Sequence, residues 1–395
     1  MKIFVLLSRI PWPLEKGDKL RAFNQIKCLS KNNDVYLCAL NDDKSVDEDK
    51  AKSILTEYCK SVDFIQLSKF RMLINVGLAF CKGMPIQCGY FYNRKVHGQI
   101  KEIINTIKPD VSFGQLVRVS PYLIDETCVK VIDYQDVLSI GMKRRMVLAK
   151  WFFRPIFKME YKRLRRYERF VFDKFDVKTI ISDSDRQLID HPQRNEILIV
   201  PNGVDFEHFK QIQTEKKYDI VFTGNMAYPP NVDAVMYLSQ EIMHFVWSKI
   251  PNAKLCIAGA TPVTSVKAVA NDNIEVTGWV DDMRDVYAKS KIFIAPMRIG
   301  TGLQNKLLEA MAMQLPCITT PLANSALLAN DKSEILVGSS AKELADAIVL
   351  LLSDEIFAKK MAEKGNMFVH DKYDWSASTQ KMEDAMRKCL NKKEL

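Results

Sequence analysis

Residues 298–320 read RIGTGLQNKLLEAMAMQLPCITT, and their types and spacing fit the grip of a phosphorylated ligand. With a helix starting at Gly302, the residues Gly302, Asn305, Lys306 and Glu309 fall on one strip at i, i+3, i+4 and i+7. Leu303, Leu307, Ala310 and Met311 form a neighbouring apolar strip that would pack on a sheet. The first amides of a helix, here those of Gly302, Leu303 and Gln304, lack intrahelical partners and favour an anion. Small residues at 300–302, Thr301 among them, let that anion approach the backbone. Lys306 adds a point charge for a phosphate. Glu309 would lie roughly 10 Å further along by helix rise, where a carboxylate suits paired hydroxyls such as a ribose diol. Phosphate at the helix end and hydroxyls along its side describe a nucleotide. The alternative, a helix with a glycine-containing cap and surface charges, uses the same residues.

Other groups with chemical potential lie in the first half. Asp133 and Asp136, in VIDYQD, end an apolar strand pattern, and carboxylates at strand C-terminal ends in an open α/β sheet face the ligand crevice. Asp133 would orient a ligand hydroxyl there, or cap the helix that follows. SDSD at 182–185 imitates a D-x-D metal pattern, yet it stands at a strand-to-helix transition where Ser and Asp serve as N-caps; no metal is expected. Residues 143–169 hold eleven Lys or Arg and two acidic residues, interleaved with Trp151, Phe152, Phe153, Ile156 and Phe157. Such a segment lies on an anionic membrane surface, or is a solvated helix whose aromatics face the core. No nucleic-acid motif accompanies the charge, so nucleic acid is not an expected partner.

The elements that must position these groups alternate between short apolar runs and amphipathic segments, the pattern of parallel α/β sheets. Strands are predicted at 3–7, 34–40, 62–67, 110–114, 129–134 and 177–182, then at 220–223, 254–259, 274–277, 292–295, 317–319 and 334–337. Helices predicted between them include 18–30, 46–60, 96–107, 232–248, 283–289, 303–313 and 342–352. Near-continuous apolar strands imply sheets covered on both faces. Two consecutive series imply two Rossmann-like domains, at 1–196 and 197–374, with a C-terminal helix at 375–395 crossing back to the first. A chain of 395 residues exceeds one ordinary core. The opening MKIFVLLSRIPWP is too short for a secretory apolar region, and no apolar run approaches the ~20 residues of a membrane span. A cytoplasmic protein is expected. Nine cysteines, an odd count without a C-x-x-C pair, read as reduced core thiols.

With the landmarks in this order, the sequence resembles the family 4 glycosyltransferases, retaining sugar transferases of the GT-B fold. The loop and helix GTGLQNKLLEAMAMQLPCITT are joined by VPNGVD at 200–205, FTGNM at 222–226, LCIAG at 255–259 and VTGWVDDMRDVYAKSKIFIAPM at 276–297. The resemblance covers about 197–375 well and the first half loosely. It implies two Rossmann-like domains facing each other across a cleft, the second binding a nucleotide diphosphate sugar and the first an acceptor. By resemblance, Glu309 holds the donor ribose, and the amides of Gly302 and Leu303, with Lys306, hold the diphosphate. Thr301, Gln304 and Asn305 of the same loop, with Gly224 and Asn225 of FTGNM, are placed on the donor side. Trp279 and Val280 lie beside the nucleobase, or Trp279 is core packing.

The chain departs from the family pattern in three places. The family often carries a second glutamate eight positions before the first, and here that position is Thr301. The Arg and Lys usual after the first donor-domain strand are replaced by GNMAYPPNVDAV, which leaves Arg298 and Lys306 as substitutes for the charge. A histidine usual after the fourth strand is missing from DVSFGQLVRVSPYL, where Gln115 or Arg118 stands. On the acceptor side, Gly17 and Arg21 in SRIPWPLEKGDKLRAFNQIKCL resemble a glycine loop with one glycine, or form a plain strand–helix connection.

The expectation is a hexosyltransferase-type enzyme of bacterial exopolysaccharide or surface-glycan synthesis, metal-independent and without a cofactor, using the nucleotide sugar as co-substrate. Its acceptor would be a glycan or a lipid-linked molecule, with peripheral membrane contact through 143–169 at the inner face of the plasma membrane. A sugar-nucleotide epimerase and a non-catalytic subunit that binds a nucleotide or glycan remain alternatives.

Overall fold

The computed structural model describes residues 1–14, 16–299 and 302–393. The chain forms two compact units, Met1–Pro201 with Trp375–Leu395, and Asn202–Asp374.

The first unit is built on a seven-stranded sheet: β1 (Lys2–Leu7), β2 (Asp34–Asn41), β3 (Ser61–Gln66), β4 (Val111–Gln115), β5 (Val129–Asp133), β6 (Val177–Ile180) and β7 (Leu198–Ile199). Its order is β3-β2-β1-β4-β5-β6-β7, with every pairing parallel. Five consecutive residues of β1 are buried, as a strand covered by helices on both faces requires. One apolar cluster lies on each face. The last helix, Trp375–Lys393, packs on the helix Gly17–Leu29, and its Met382 and Met386 are wholly buried in one of those clusters.

The second unit repeats the plan with β8 (Tyr218–Thr223), β9 (Leu255–Ala258), β10 (Ile274–Gly278), β11 (Ser290–Ala295), β12 (Cys317–Thr319) and β13 (Leu336–Val337). The order is β10-β9-β8-β11-β12-β13, again all parallel. Both sheets therefore reverse their winding beside their first strand, between β1 and β4 and between β8 and β11. Ligands of doubly wound sheets bind outside the strand C-termini at such a switch point.

All twelve predicted strands are present; β7, only two residues long, was not foreseen. The predicted helix 46–60 is shortened to Glu48–Leu55, because the chain turns before entering β3. The helix predicted at 232–248 starts earlier, at Pro229, whose fixed φ suits a first turn. It runs through a π-helical turn at Leu238–Ile242 to Trp247. Helices that were not foreseen include Lys69–Cys81, Ile86–Phe91, Pro321–Leu327 and Glu355–Lys372. Among the described residues no helix is long and apolar enough to cross a membrane, and the nine cysteines form no disulfide.

Candidate active site

The helix carrying Lys306 and Glu309 spans Asn305–Ala312 and follows β11. It begins three residues later than its periodicity indicates. Gly302 has φ +86°, a left-handed conformation that a helix start excludes and glycine adopts without strain. The open helix-end amides are thus those of Asn305 and Lys306, not of Gly302 and Leu303. Gln304, at the N-cap, makes no capping bond; its side chain donates to the Gly302 carbonyl at 3.2 Å. Leu303 packs against the second unit's core. Thr301 lies outside the described residues. Lys306 now sits within the first turn, and Glu309 about 6 Å along the axis from the helix start.

Lys306 is half-buried, and its Nζ donates to Asn231 Oδ1 at 2.6 Å and lies 4.4 Å from the Phe222 ring centroid. Asn231 is itself held, donating through Nδ2 to the Asn225 carbonyl at 2.9 Å. Asn225 is oriented in turn: its Oδ1 accepts from the Ala227 amide and the Thr261 hydroxyl, both at 2.9 Å. Gly224, with φ +153°, leaves room for this convergence. A Cβ there would lie 2.6 Å from Asn231 Nδ2 and 3.0 Å from Lys306 Nζ. Desolvation lowers the Lys306 ammonium from 10.5 to about 7, with Glu309 opposing the shift. Within reach of this ammonium the structure sets an aromatic face and an amide oxygen.

Glu309 is held from the sheet side. Tyr287 donates its hydroxyl to Glu309 Oε2 at 2.9 Å and lies 3.0 Å from the Thr223 hydroxyl. With the Tyr287 proton committed to the carboxylate, Thr223 is the donor in the second bond. Burial raises the Glu309 carboxyl, while Tyr287 and Lys306 pull it down. Oε1 has no partner among the described residues, which leaves it to accept from a ligand. Asn305 Oδ1 accepts from Asn202, a residue of the VPNGVD segment. Trp279 follows the edge strand β10 with 60% of its surface exposed, and its indole donates to Asp281 at 2.9 Å. It is therefore not core packing, whereas Val280 does lean on the core.

Four residues expected at the site are engaged by protein partners instead: Arg298, Asp133, Arg21 and Gln115. Arg298 is clamped by Asp233 at 2.9 Å and Glu241 at 3.2 Å over the Tyr237 ring, so its charge is already matched. Asp133 is fully buried, accepting from Arg21 at 2.6 and 3.0 Å and from Thr179 at 2.8 Å. That closes both Asp133 and Arg21 to a ligand. Gln115, 4% exposed, donates to the Asp18 carbonyl at 3.1 Å. Gly17 is the first residue of its helix, with open space where a Cβ would stand. SDSD at 182–185 caps a short helix, the Ser182 hydroxyl accepting from the Asp185 amide. Among the described residues no three His, Cys, Asp or Glu side chains gather as a metal site.

Sequence reading gave no role to Phe222, Thr223, Asn231 and Tyr287. All four lie in stretches whose pattern was noted, but only the folded sheet brings them to Lys306 and Glu309. Missed as well was a hollow of about 220 Å³ beside the C-terminal ends of β1 and β2, where Arg9, Lys16, Lys19 and Lys69 outnumber Asp42 and Asp43.

Residues 217–354 match the family Glycosyl transferases group 1. That span holds every donor-side residue described above except Asn202. Over nearly the whole chain the fold is that of the GT-B glycosyltransferases. Sucrose-phosphate synthase from Thermosynechococcus elongatus superposes with a TM-score of 0.71 at 13% identity, covering 99% of this chain and 100% of that one. HepE of Anabaena, in complex with UDP, superposes with a TM-score of 0.68 at 11% identity, covering 98% and 100%. In sequence, the chain is 22% identical to an uncharacterized 44.6 kDa protein in the cps region of Klebsiella pneumoniae, covering 94% of this chain and 96% of the relative.

Proposed function

We propose that the protein is a retaining, metal-independent hexosyltransferase that moves a sugar from a nucleotide diphosphate sugar to a glycan or lipid-linked acceptor. The observation that carries this reading is the pairing of Lys306, held by Asn231 at an open helix start, with Glu309, held by Tyr287 one turn on. Positive charge and amides would receive the diphosphate, and the spare Glu309 oxygen would receive the ribose hydroxyls. Trp279 offers a face for the base. No cofactor is needed, because Lys306 and the amides supply positive density where the leaving group develops charge. The bond from the anomeric carbon to the diphosphate breaks as the acceptor oxygen bonds to the same face. The acceptor proton passes to a diphosphate oxygen.

HepE is solved with UDP and with UDP-glucose, which makes UDP the first nucleotide to test. The cationic hollow beside β1 and β2 suits an acceptor with an anionic group, such as the phosphate of a lipid carrier. The relative in a cps region supports a role in surface polysaccharide synthesis, and a cytoplasmic enzyme at the inner face of the plasma membrane would suit that role.

A thermal-shift panel of UDP, GDP, ADP and CMP on wild type and Glu309→Ala tests the reading. At a hundredfold excess over Kd a ligand stabilises the folded state by about 2.7 kcal/mol. One nucleotide should raise the wild-type transition and lose that effect in the variant. If no nucleotide shifts the wild type, the donor site is wrong. A second reading, a non-catalytic nucleotide-binding subunit, draws on the missing glutamate eight positions before Glu309 and on Arg298 being occupied. Release of nucleotide from its sugar donor by wild type, absent in Lys306→Met, decides against it.

A further inference from the structure

Helix Lys69–Cys81, with sequence KFRMLINVGLAFC, buries only Met72 and Ala79. Phe70 and Leu73 are 74% and 73% exposed, and Ile74, Leu78 and Phe80 are exposed with them. Water-facing helices are polar on their outer side, and contiguous exposed apolar patches mark interaction surfaces. Beside this helix runs the basic helix Arg154–Lys174. Arg163 fastens the two, donating to the Phe80 carbonyl at 2.9 Å with its guanidinium 5.0 Å from the Phe80 ring centroid. Glu160 ties the basic helix to the next helix, Ile86–Phe91, by accepting from the Ile86 and Gln87 amides. At the start of the basic helix, Trp151, Phe152, Phe153 and Ile156 are also exposed.

The charge on this face has one sign. The two acidic residues within 143–169, Glu160 and Glu168, are 4% and 1% exposed and turned inward onto backbone amides. Lys158, Lys162 and Arg166 remain outside, around a hollow that Gly83 and Pro155 complete. Residues 68–85 contain no acidic side chain, and Lys69, Arg71 and Lys82 flank the apolar stretch.

We propose that helix Lys69–Cys81 and the exposed face of residues 151–166 form one platform that seats the first unit on an anionic lipid bilayer. Apolar and aromatic side chains enter the headgroup boundary, and the surrounding cations meet anionic headgroups. A second copy of the chain does not fit, because it would set cations against cations. The inference stands apart from the donor site, since vesicle binding and nucleotide binding are read separately.

Co-sedimentation with vesicles of mixed phosphatidylglycerol and phosphatidylcholine, against phosphatidylcholine alone, tests it. Wild type should pellet with the anionic vesicles and stay in solution with the neutral ones. Phe70→Glu with Leu73→Glu should abolish pelleting, and Lys158→Glu with Lys162→Glu should weaken it about tenfold or more. All four side chains are exposed, so an unchanged thermal transition shows that the variants fold. Absence of wild-type pelleting, or equal pelleting by the variants, overturns the proposal. So does a wild-type dimer in gel filtration that Phe70→Glu with Leu73→Glu converts to monomer, which would make the face a protein interface.

Discussion

The two sheets share one strand order, yet they treat the charges near their strand ends in opposite ways. In the first unit, Asp133 at the end of β5 meets Arg21 in a buried ion pair, and Thr179 completes its shell. In the second, Lys306 and Glu309 are each steadied by a neutral partner and keep hydrogen-bonding capacity in hand. The difference shows that topology offers the same location twice and that partner identity decides its use. A carboxylate matched by a guanidinium holds helix to sheet. A carboxylate held by a phenol, beside an ammonium held by an amide, stays available to a ligand.

The largest effect should come from breaking the closed pair. Asp133→Ala breaks the buried ion pair with Arg21, which costs about 3–5 kcal/mol. Urea unfolding followed by the fluorescence of a first-unit tryptophan should show the loss, while nucleotide binding by the folded fraction stays as in wild type. An equal loss of nucleotide affinity would erase the contrast between the two units.

The open pair should answer in activity rather than stability. Lys306→Met should lower turnover by about 10²–10³-fold, the usual effect of removing one group that stabilises developing charge. It should leave the thermal transition of the unliganded protein in place or raise it, because a desolvated ammonium is removed. The pH dependence sharpens the point. In the empty site the Lys306 ammonium is lowered to about 7, and a bound diphosphate favours its charged form. Affinity is therefore fully present below about pH 7. It falls as pH rises through that value, by up to about tenfold per unit until the bound-state pKa is reached. Calorimetry in buffers of differing ionisation enthalpy should detect proton uptake on binding near pH 8, and Lys306→Met should abolish it.

The smallest effect is expected at Tyr287→Phe, which removes the hydroxyl between Thr223 and Glu309. The loss of one hydrogen bond is about 1 kcal/mol, or roughly a fivefold weaker nucleotide affinity. A change confined to stability, with affinity untouched, would reduce Tyr287 to a packing residue.

Much of this was legible in the sequence, for reasons that also mark the limits. Strands covered on both faces must be apolar runs, so twelve declared themselves and the two-residue β7 did not. Lys306 and Glu309 were legible because helical spacing puts them on one side. The helix start was not, since periodicity carries no record of the positive φ at Gly302. Arg21 and Asp133 are 112 positions apart, and nothing local reveals that each cancels the other. Arg298 failed likewise, its partners lying 57 and 65 positions away. Helix Lys69–Cys81 escaped notice because an apolar helix exposed on most of its circumference shows no face to find.

The chain enters the second unit just after Pro201 and leaves it at Asp374, where the incoming and outgoing strands touch at Val204. One unit is therefore continuous in sequence and the other is not. During synthesis the first sheet emerges early but lacks Met382 and Met386, which complete its core. At about 5–20 residues per second, those methionines follow Pro201 by some tens of seconds at most. The second unit is complete once Asp374 is made, before either methionine, so although it starts later it is the earlier to have everything it needs to fold.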